Sequence, residues 1–309
     1  MSDYHVPVMM REAVDYLNIK KAGIYLDGTL GGGGHSEEIL RRLDGTGRLY
    51  GIDRDMEALK YATERLKAYD NFIPIHGNFR DVDILIPEDV MLSGAIIDLG
   101  VSSHQLDTPK RGFSYHEEAP LDMRMDRSSG ITAEEWLNSA SEDEIADTIY
   151  KYSDERWAKR IAEKIVKMRQ ESPLKTTTEL VRAVDMAIPK AVRRNIQGHP
   201  AKRTFQAVRI KINEELDMLP SAIESIVNRL QIGGRLCVIT FHSIEDRLVK
   251  RTINYLRNPC SCSPNVPICT CGKQPKLKTV FSGVKTPTQE ELEQNPRSSS
   301  AKLRAAERV

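Results

Sequence analysis

The sequence predicts an α/β fold in which a Rossmann-like sheet is interrupted by an all-helical insertion. Over the first hundred residues, short apolar segments alternate with amphipathic ones, as in repeated strand–helix–strand units. One apolar segment breaks into four consecutive glycines, Gly31–Gly34, a pattern typical of a strand, a nucleotide-binding turn and a helix. Strand patterns then stop and later return. We therefore expect a discontinuous sheet domain at residues 1–105 and 206–309 and a helical domain at residues 106–205.

The first half of the sheet should contain four strands separated by helices. The strand segments are residues 24–27, 48–52, 72–76 and 94–98. The clearest helical segments are residues 36–43 and 55–68. Because a helix between two strands makes those strands parallel, their carboxyl ends should meet at one edge of the sheet.

The insertion shows clear helix starts. Three capping boxes are present: Thr132 with Glu135, Ser141 with Glu144, and Thr176 with Glu179. The segment 154–171 carries one apolar stripe, which predicts core packing: Trp157, Ile161, Ile165 and Met168.

The second half of the sheet is expected after the insertion. We predict a helix at residues 214–230 that stops at Gly233-Gly234, followed by a strand at 235–241. A further strand is expected at 276–281. The polar composition from Ser282 onward predicts a loosely ordered tail.

The glycine turn and its two flanking acids indicate a nucleoside site. Asp27 closes the first strand before Gly31–Gly34, and Asp53 closes the second, where a carboxylate accepts hydrogen bonds from ribose hydroxyls. The glycines would let the backbone approach the ligand closely, although a flexible loop is the alternative. Nicotinamide sites read G-x-G-x-x-G, whereas an acid before the loop is more typical of S-adenosylmethionine (SAM) sites. The pattern favours a methyltransferase.

Composition limits the class of protein. The chain has 309 residues, of which 40% are hydrophobic and 29% charged, as in a globular domain. It has no apolar stretch of the ~20 residues that a membrane span needs, and its first residues lack the pattern of a signal peptide. We expect a cytoplasmic protein without a membrane partner. A homodimer is compatible with the sequence.

The formal net charge of +1 hides a strong segregation of charge. Residues 190–211 contain seven Lys or Arg and no acid, and residues 247–289 contain eight and no acid. Such stretches predict a positive face for a polyanion such as nucleic acid. The alternative is a solvated surface with counter-charges elsewhere in the fold.

Two loops at strand ends carry candidate catalytic residues. The loop Asp98–Ser103, which includes Ser102, should face the same crevice as the glycine turn. It has the acid of the amino-methyltransferase motif but not its prolines or aromatic residue. His242, after a later strand, can be a base, a stacking group or a phosphate contact. Alternatively, it lies at a helix start with Ser243 as the cap, and both interpretations can hold together.

Two further clusters suggest ligands. The basic segment around Phe205 combines an aromatic residue that can stack on a base with basic residues that can bind phosphate. A basic helix with Phe205 in the core fits as well. Its candidate RNA-binding residues are Lys202, Arg203, Phe205 and Arg209. Four cysteines can supply thiolates to one zinc ion, with unligated thiols or a redox-labile pair as alternatives: Cys260, Cys262, Cys269 and Cys271.

Eight segments in order resemble one family. They are His5-Val-Pro-Val-Met, Asp27–Ser36, Asp98–Ser103, Phe113-Ser, Asp122–Asp126, Phe205–Arg209, Thr240–Asp246 and Asn295–Arg304. With these motifs the chain resembles the RsmH (MraW) family, the bacterial 16S ribosomal RNA cytosine-N4 methyltransferases, over nearly its whole length.

The resemblance implies a SAM-dependent methyltransferase sheet with an inserted helical domain for RNA recognition. It implies methylation of the exocyclic N4 amine of a cytidine in the decoding region, the P site, of the small ribosomal subunit. It places SAM contacts on Gly33, Gly34, His35, Asp53, Phe79, Asp98 and Gln105. It also suggests an ordered C-terminus, against the prediction from composition, and it leaves zinc open.

Methyl transfer to cytosine N4 needs an acceptor for the N4 proton, because this nitrogen is a poor nucleophile. Asp98, or a backbone carbonyl of the Asp98–Ser103 loop, is the candidate, with Phe241 or His242 stacking on the base. Two other classes share parts of the pattern. A nicotinamide-linked oxidoreductase leaves the basic stretches unexplained, and a non-catalytic RNA-binding factor leaves the nucleoside loop unexplained.

Overall fold

The computed structural model describes residues 7–263 and 270–309. It divides the chain into two compact units, a helical unit, Val101–Glu215, and a sheet unit made of the residues before and after it. The insertion predicted at 106–205 is therefore shorter than the observed helical unit. At its C-terminal end the reason is local, since one continuous helix, Lys202–Asn213, runs through residue 205.

The first part of the sheet unit alternates helices and strands as the sequence predicts. Its elements are α1 (Met10–Leu17), β1 (Ile24–Asp27), α2 (Gly34–Leu43), β2 (Arg48–Asp53), α3 (Met56–Arg65), β3 (Phe72–His76), a 3₁₀ turn (Phe79–Asp81), α4 (Val82–Leu85) and β4 (Leu92–Asp98).

The helical unit, whose backbone is described throughout, contains helices, turns and one isolated antiparallel β-bridge between Pro120 and Thr176. Its helices are α5 (Ser103–Asp107), α6 (Ala133–Ser139), α7 (Glu142–Ser153), α8 (Ala158–Glu171), α9 (Thr177–Ala187), α10 (Lys190–Arg193) and α11 (Lys202–Asn213), with a 3₁₀ turn at Pro109–Arg111. The predicted capping boxes of α6 and α9 are fully formed. At α7, the Ser141 side chain accepts from the Glu144 N–H as predicted. In α8, Ile161 and Ile165 are fully buried as predicted, whereas Trp157 and Met168 of the same stripe are half-buried.

The sheet unit resumes after the helical unit. Its remaining elements are α12 (Leu219–Arg229), β5 (Leu230–Thr240), α13 (Ser243–Arg257), β6 (Leu277–Thr279), α14 (Gln289–Gln294), a 3₁₀ turn (Pro296–Ser300) and β7 (Lys302–Arg308). None of the helices in the described part of the chain is both long and apolar enough to cross a membrane.

The seven strands form one Rossmann-like sheet in the order β3-β2-β1-β4-β5-β7-β6. The first five are parallel, and β7 runs antiparallel between β5 and β6. Asp27, the last residue of β1, pairs with Gly51 of β2 and Ile96 of β4. The carboxyl ends of β1, β2 and β4 therefore lie side by side.

Gly233-Gly234 does not end a helix, contrary to the prediction. The preceding helix, α12, starts at Leu219 and ends at Arg229, and the two glycines lie inside β5. The register between β4 and β5 shifts there, with Leu92 opposite Leu230 but Gly94 opposite Arg235. Gly233 has φ +81°, as expected for an irregularity that inserts extra residues into a strand.

The expectation of a loosely ordered tail from Ser282 is also wrong, whereas the order implied by the family resemblance is confirmed. Residues 302–308 form β7, which pairs with two strands. Leu303 and Ala306 of this strand are fully buried. Alanine supplies much of the buried face of β7, so composition hides a strand that the sheet encloses on both sides.

Isoleucines inside and outside the sheet provide a test of core packing. Ile96 in β4 is fully buried, whereas Ile84 in α4 is 85% exposed. We expect Ile96→Ala to lower the free energy of unfolding by about 2–5 kcal/mol, because it removes buried methyl groups and leaves a cavity. The matched change Ile84→Ala should cost less than about 0.5 kcal/mol in urea unfolding. Equal losses in the two variants would contradict the assignment of the core.

Candidate active site

The loop between β1 and α2 uses its glycines chiefly for packing within the sheet unit. A Cβ on Gly34 would lie 2.0 Å from Pro7 Cγ, and one on Gly33 would lie 3.3 Å from Ala62 Cβ. Gly33 also has φ +76°, which glycine tolerates best. A Cβ on Gly31 would meet nothing nearer than a backbone oxygen at 3.9 Å. Among Gly31, Gly33 and Gly34, Gly31 therefore has the most open surroundings.

Asp27 is the buried acid at the end of β1. Its two oxygens accept hydrogen bonds from the Thr29 N–H at 3.1 Å and the Ser36 hydroxyl at 2.7 Å. Burial raises the pKa of Asp27 to about 6, and the nearby charge of Asp53 acts in the same direction. The Asp27 carboxyl group therefore binds both ends of the glycine loop, at Thr29 and at Ser36, although it is buried away from water.

Asp53 performs a parallel role at the end of β2. One oxygen accepts from the Gly31 N–H at 2.7 Å and the other from the Asp55 N–H at 2.8 Å. Burial raises the pKa of Asp53 to about 6 in spite of these two hydrogen bonds. Both oxygens keep further lone pairs, so the carboxylate can still accept hydrogen bonds from a ligand.

Asp98 ends β4 and is the least satisfied acid of the group. Its N–H donates to Thr29 Oγ1 at 2.6 Å, which joins β4 to the glycine loop. Its Oδ1 is buried without a hydrogen-bond partner among the described residues. Burial raises the pKa of Asp98 well above its ordinary value, and the charges of Asp27, Glu245 and Glu291 raise it further. An unpaired oxygen of this kind is poised to accept a hydrogen bond from a ligand.

His35 lies beside Asp98 but does not form an ion pair with it. Burial lowers the pKa of His35 to about 4, so the ring is neutral near pH 7. Its Nε2 lies 3.0 Å from the Val8 carbonyl oxygen, which requires the proton on Nε2. Nδ1 then has a lone pair 3.9 Å from Asp98 Oδ2, too far for a hydrogen bond. His35 therefore does not offset the negative charge of Asp98.

Five carboxyl groups influence one another at this edge of the sheet. Asp98 is affected by Asp27, Glu245 and Glu291, and Asp27 is affected by Asp53. Glu291 also accepts a hydrogen bond from the Met9 N–H at 2.6 Å. No local sequence pattern points to a site role for Glu245 or Glu291. Such an edge attracts a cation and opposes a diphosphate.

His242 is committed to the start of α13. It is the N-cap itself, so the expectation that Ser243 caps this helix is wrong. Its Nδ1 accepts from the Glu245 N–H at 3.3 Å, and Glu245 Oε2 accepts from the Phe241 N–H at 2.8 Å. His242 Nε2 lies 2.9 Å from Glu245 Oε1 but makes no hydrogen bond within the described part of the chain, so the Nδ1 contact is what fixes the ring. This arrangement gives His242 a structural role and orients Glu245.

The remaining predicted site residues divide between the two units. Phe79 contacts the glycine loop, because a Cβ on Gly28 would lie 3.0 Å from its Cβ. Ser102 and Gln105 belong to the helical unit, where they form the capping box of α5. Ser102 Oγ accepts from the Gln105 N–H at 3.2 Å, and Gln105 Oε1 accepts from the Ser102 N–H at 3.0 Å. Ser102 thus has a clear structural role.

The four candidate RNA contacts differ in accessibility. Lys202 and Arg203 are exposed on α11. Phe205 is only 4% exposed, which is unsuitable for stacking on a base, and Arg209 forms two 2.9 Å hydrogen bonds with Glu215. Phe205 lies on the buried apolar face of α11, whereas Arg209 is hydrogen-bonded to Glu215, which follows the helix.

A more accessible aromatic cluster lies beside Phe205 and was missed by the sequence analysis. The rings of Tyr115 and His199 stack with centroids 4.6 Å apart, and the edge of Tyr115 meets Phe205 at 5.6 Å. His116 contacts the same Tyr115 ring at 4.5 Å. Tyr115 and His116 precede His199 and Phe205 by more than eighty positions, so no local pattern could reveal the cluster.

Three of the four candidate zinc-binding cysteines come together. The Sγ atoms of Cys260, Cys262 and Cys271 all lie within 4.8 Å of one another. Cys269 lies outside the described residues.

Known proteins similar to this chain form a consistent group. Residues 2–309 match the model of the MraW methylase family. A relative from Clostridium botulinum (strain Kyoto / Type A2), named ribosomal RNA small subunit methyltransferase H, is 50% identical over 307 residues, or 99% of each chain. A relative of the same name from Halothermothrix orenii is 47% identical over 307 residues, covering 99% of this chain and 98% of its own.

The raised pKa of Asp27 predicts a pH-dependent stability difference. Its folded-state pKa of about 6 exceeds the ordinary 3.8, so the parent loses stability as pH rises between these values. Asp27→Asn removes this loss. As the pH rises by about two units across this range, the variant should gain up to roughly 3 kcal/mol of stability relative to the parent. Urea unfolding on both sides of this range measures the difference.

The matched control is Asp44→Asn in the α2–β2 turn. Asp44 is exposed, and its hydrogen bond to Lys21 lowers its pKa, so the pH effect has the opposite sign. This variant should not gain stability relative to the parent as pH rises. A stability difference for Asp27→Asn that stays constant with pH would show that Asp27 ionises normally.

Proposed function

This chain belongs to the MraW methylase family, and from that premise we propose a specific reaction for it. It transfers a methyl group from SAM to the exocyclic N4 amine of a cytidine in 16S ribosomal RNA. The cytidine lies in the decoding region, at the P site of the small ribosomal subunit. The reaction takes place in the cytoplasm, and the RNA is bound within the subunit.

The observation that carries the SAM assignment is the cluster of carboxyl groups at the strand ends. SAM bears a positive sulfonium and a positive amino group, which five neighbouring acids stabilise. A nicotinamide dinucleotide bears a negative pyrophosphate, which the same acids repel. The dinucleotide site that the glycine loop and Asp53 also suggested is therefore disfavoured on electrostatic grounds.

The residues of the sheet unit fit this cofactor. Asp53 would accept hydrogen bonds from the ribose hydroxyls, and Asp27 would lie towards the methionine amino group. The backbone of Gly33, Gly34 and His35 begins α2, where N–H groups point out of the helix end. Phe79 completes the proposed contacts of the sheet unit, and a contact from Gln105 remains a prediction of the family resemblance. SAM supplies an electrophilic methyl group on its sulfonium.

Asp98 is the proposed proton acceptor for the N4 amine. Its Oδ1, which has no partner among the described residues, can accept a hydrogen bond from the N4 amine. Asp98 would thereby orient the nitrogen and take a proton from N4 as the nitrogen is methylated. The raised pKa means that Asp98 is a stronger base than an ordinary aspartate once it is ionised. A positive sulfonium nearby favours that ionised form. His242 acts through Glu245 as a positioning residue, and Ser102 positions α5.

The helical unit is the proposed RNA-recognition domain. Exposed Lys202 and Arg203 supply phosphate contacts, and the stacked pair Tyr115 and His199 offers an aromatic surface beside them. Phe205 packs against Tyr115 of this surface, and Arg209 stabilises α11 through its hydrogen bonds with Glu215.

Small ribosomal subunits from a strain that lacks this modification test the function directly. The protein is incubated with the subunits and isotopically labelled SAM, and the digested nucleosides are separated by mass spectrometry. We expect label in N4-methylcytidine from the decoding region. Label in another nucleoside would overturn the choice of base. No label in subunits, their precursors or free RNA would overturn ribosomal RNA as the substrate.

Replacement of the proposed proton acceptor should separate binding from chemistry. Asp98→Asn keeps the shape of the side chain but removes its basicity, so we expect kcat to fall by about 10²–10⁴-fold. SAM binding, measured by calorimetry, should change much less. The matched control is Asp83→Asn, because Asp83 is exposed on α4, and it should keep full activity. Full turnover in Asp98→Asn would exclude Asp98 from the chemistry.

A further inference from the structure

The connection between α13 and β6 contains a cluster of thiols that the methyl-transfer site does not use. Cys260, Cys262 and Cys271 bring their sulfur atoms within 4.8 Å of one another. Cys271 Sγ lies 3.8 Å from Cys260 Sγ, although eleven residues separate them along the chain. Two distinct chain segments therefore converge at this point.

The separation between the sulfur atoms of Cys260 and Cys271 matches that of two thiolates on one metal ion. Zinc–thiolate bonds are about 2.3 Å long, and two sulfurs bound to one tetrahedral zinc lie about 3.8 Å apart. The observed distance between Cys260 and Cys271 has this value. Cys262 belongs to the same cluster, and its Sγ lies 3.8 Å from Thr270 Oγ1.

Hydrophobic burial does not explain why the thiols converge. Within the connection, residues 258–263 and 270–275 are all exposed or half-buried. The connection is closed at its base, where the Lys276 N–H donates to the Leu256 carbonyl at 2.8 Å. A surface loop without its own core needs a cross-link to keep one conformation. A metal bound by thiolates is such a cross-link.

The charge around the cluster suits a metal–thiolate centre. Three thiolates with Zn²⁺ carry a net charge of −1, and residues 247–289 contain eight Lys or Arg and no Asp or Glu. Arg257 and Lys273 flank the cysteines on the two sides of the connection. Neighbouring cations stabilise the negative centre, and this part of the sequence offers no carboxylate ligand to compete with sulfur.

We propose that Cys260, Cys262 and Cys271 bind one Zn²⁺ ion in a structural site that fixes the connection between α13 and β6. Each thiol releases its proton as its sulfur coordinates the ion, so affinity should rise with pH. Thiolate ligands select Zn²⁺ over hard cations such as Mg²⁺. The site is independent of the proposed methyl transfer. Cys269 is not included, because it lies outside the described residues.

Metal content provides the first test. The full chain is purified under reducing conditions with zinc in the growth medium, and bound metals are measured by mass spectrometry. We expect about one Zn²⁺ per chain, and Cys260→Ser or Cys271→Ser should lower this at least about tenfold. Two matched controls should keep the metal: Ser261→Ala in the same loop and Cys237→Ala in β5, whose thiol is buried in the sheet.

A second test uses the unaltered protein and so does not depend on the folding of variants. Thiols are titrated with an organomercurial reagent while released zinc is followed with a chromogenic chelator. Zinc release in step with thiol modification, and a thiolate-to-metal charge-transfer band after replacement by Co²⁺, support the proposal. It is overturned if reduced, zinc-supplied protein contains no zinc or keeps its zinc in both cysteine variants. A disulfide among these cysteines in that protein also overturns it.

Discussion

The sheet unit depends on one constraint: three aspartates end neighbouring parallel strands, so their carboxyl groups share a poorly solvated edge. The order β2-β1-β4 places Asp53, Asp27 and Asp98 next to one another. Burial raises the pKa of each, which means that the fold holds them at a cost in stability. Hydrogen bonds from the glycine loop offset part of this cost. Buried acids whose pKa values are raised in this way are typical of functional sites.

The antiparallel strand β7 connects this edge to the end of the chain. Asp246, in the first turn of α13, accepts a 2.7 Å hydrogen bond from Arg304 of β7 and contacts Lys302 at 3.3 Å. Burial alone would raise the pKa of Asp246, but Arg304 and Lys302 lower it. These contacts attach β7 to the helix that His242 caps. The C-terminus thereby supports the orientation of Glu245 at the edge of the sheet.

Local patterns were enough to predict the parallel part of the sheet, most helix starts and the acids Asp27, Asp53 and Asp98. Each of these depends on residues a few positions apart. Features made by distant residues could not be predicted in this way, including Glu291 near Asp98 and Tyr115 stacked on His199. The buried face of β7 was hidden because it is built largely from alanine. Phe205 and Arg209 were predicted as RNA contacts from residue type, and only the fold shows that Phe205 is buried and that Arg209 pairs with Glu215.

Ligand selectivity at the acid-lined edge is the central claim, and equilibrium dialysis measures it most directly. Labelled SAM and NAD are dialysed separately against the parent protein and Asp53→Ala. We expect saturable SAM binding that Asp53→Ala weakens at least about tenfold, since the proposed charge-assisted hydrogen bonds from the ribose hydroxyls to Asp53 would be lost. NAD should not bind measurably to either protein. Binding of NAD with an affinity comparable to that of SAM, or SAM binding unchanged in Asp53→Ala, would contradict this account of the site.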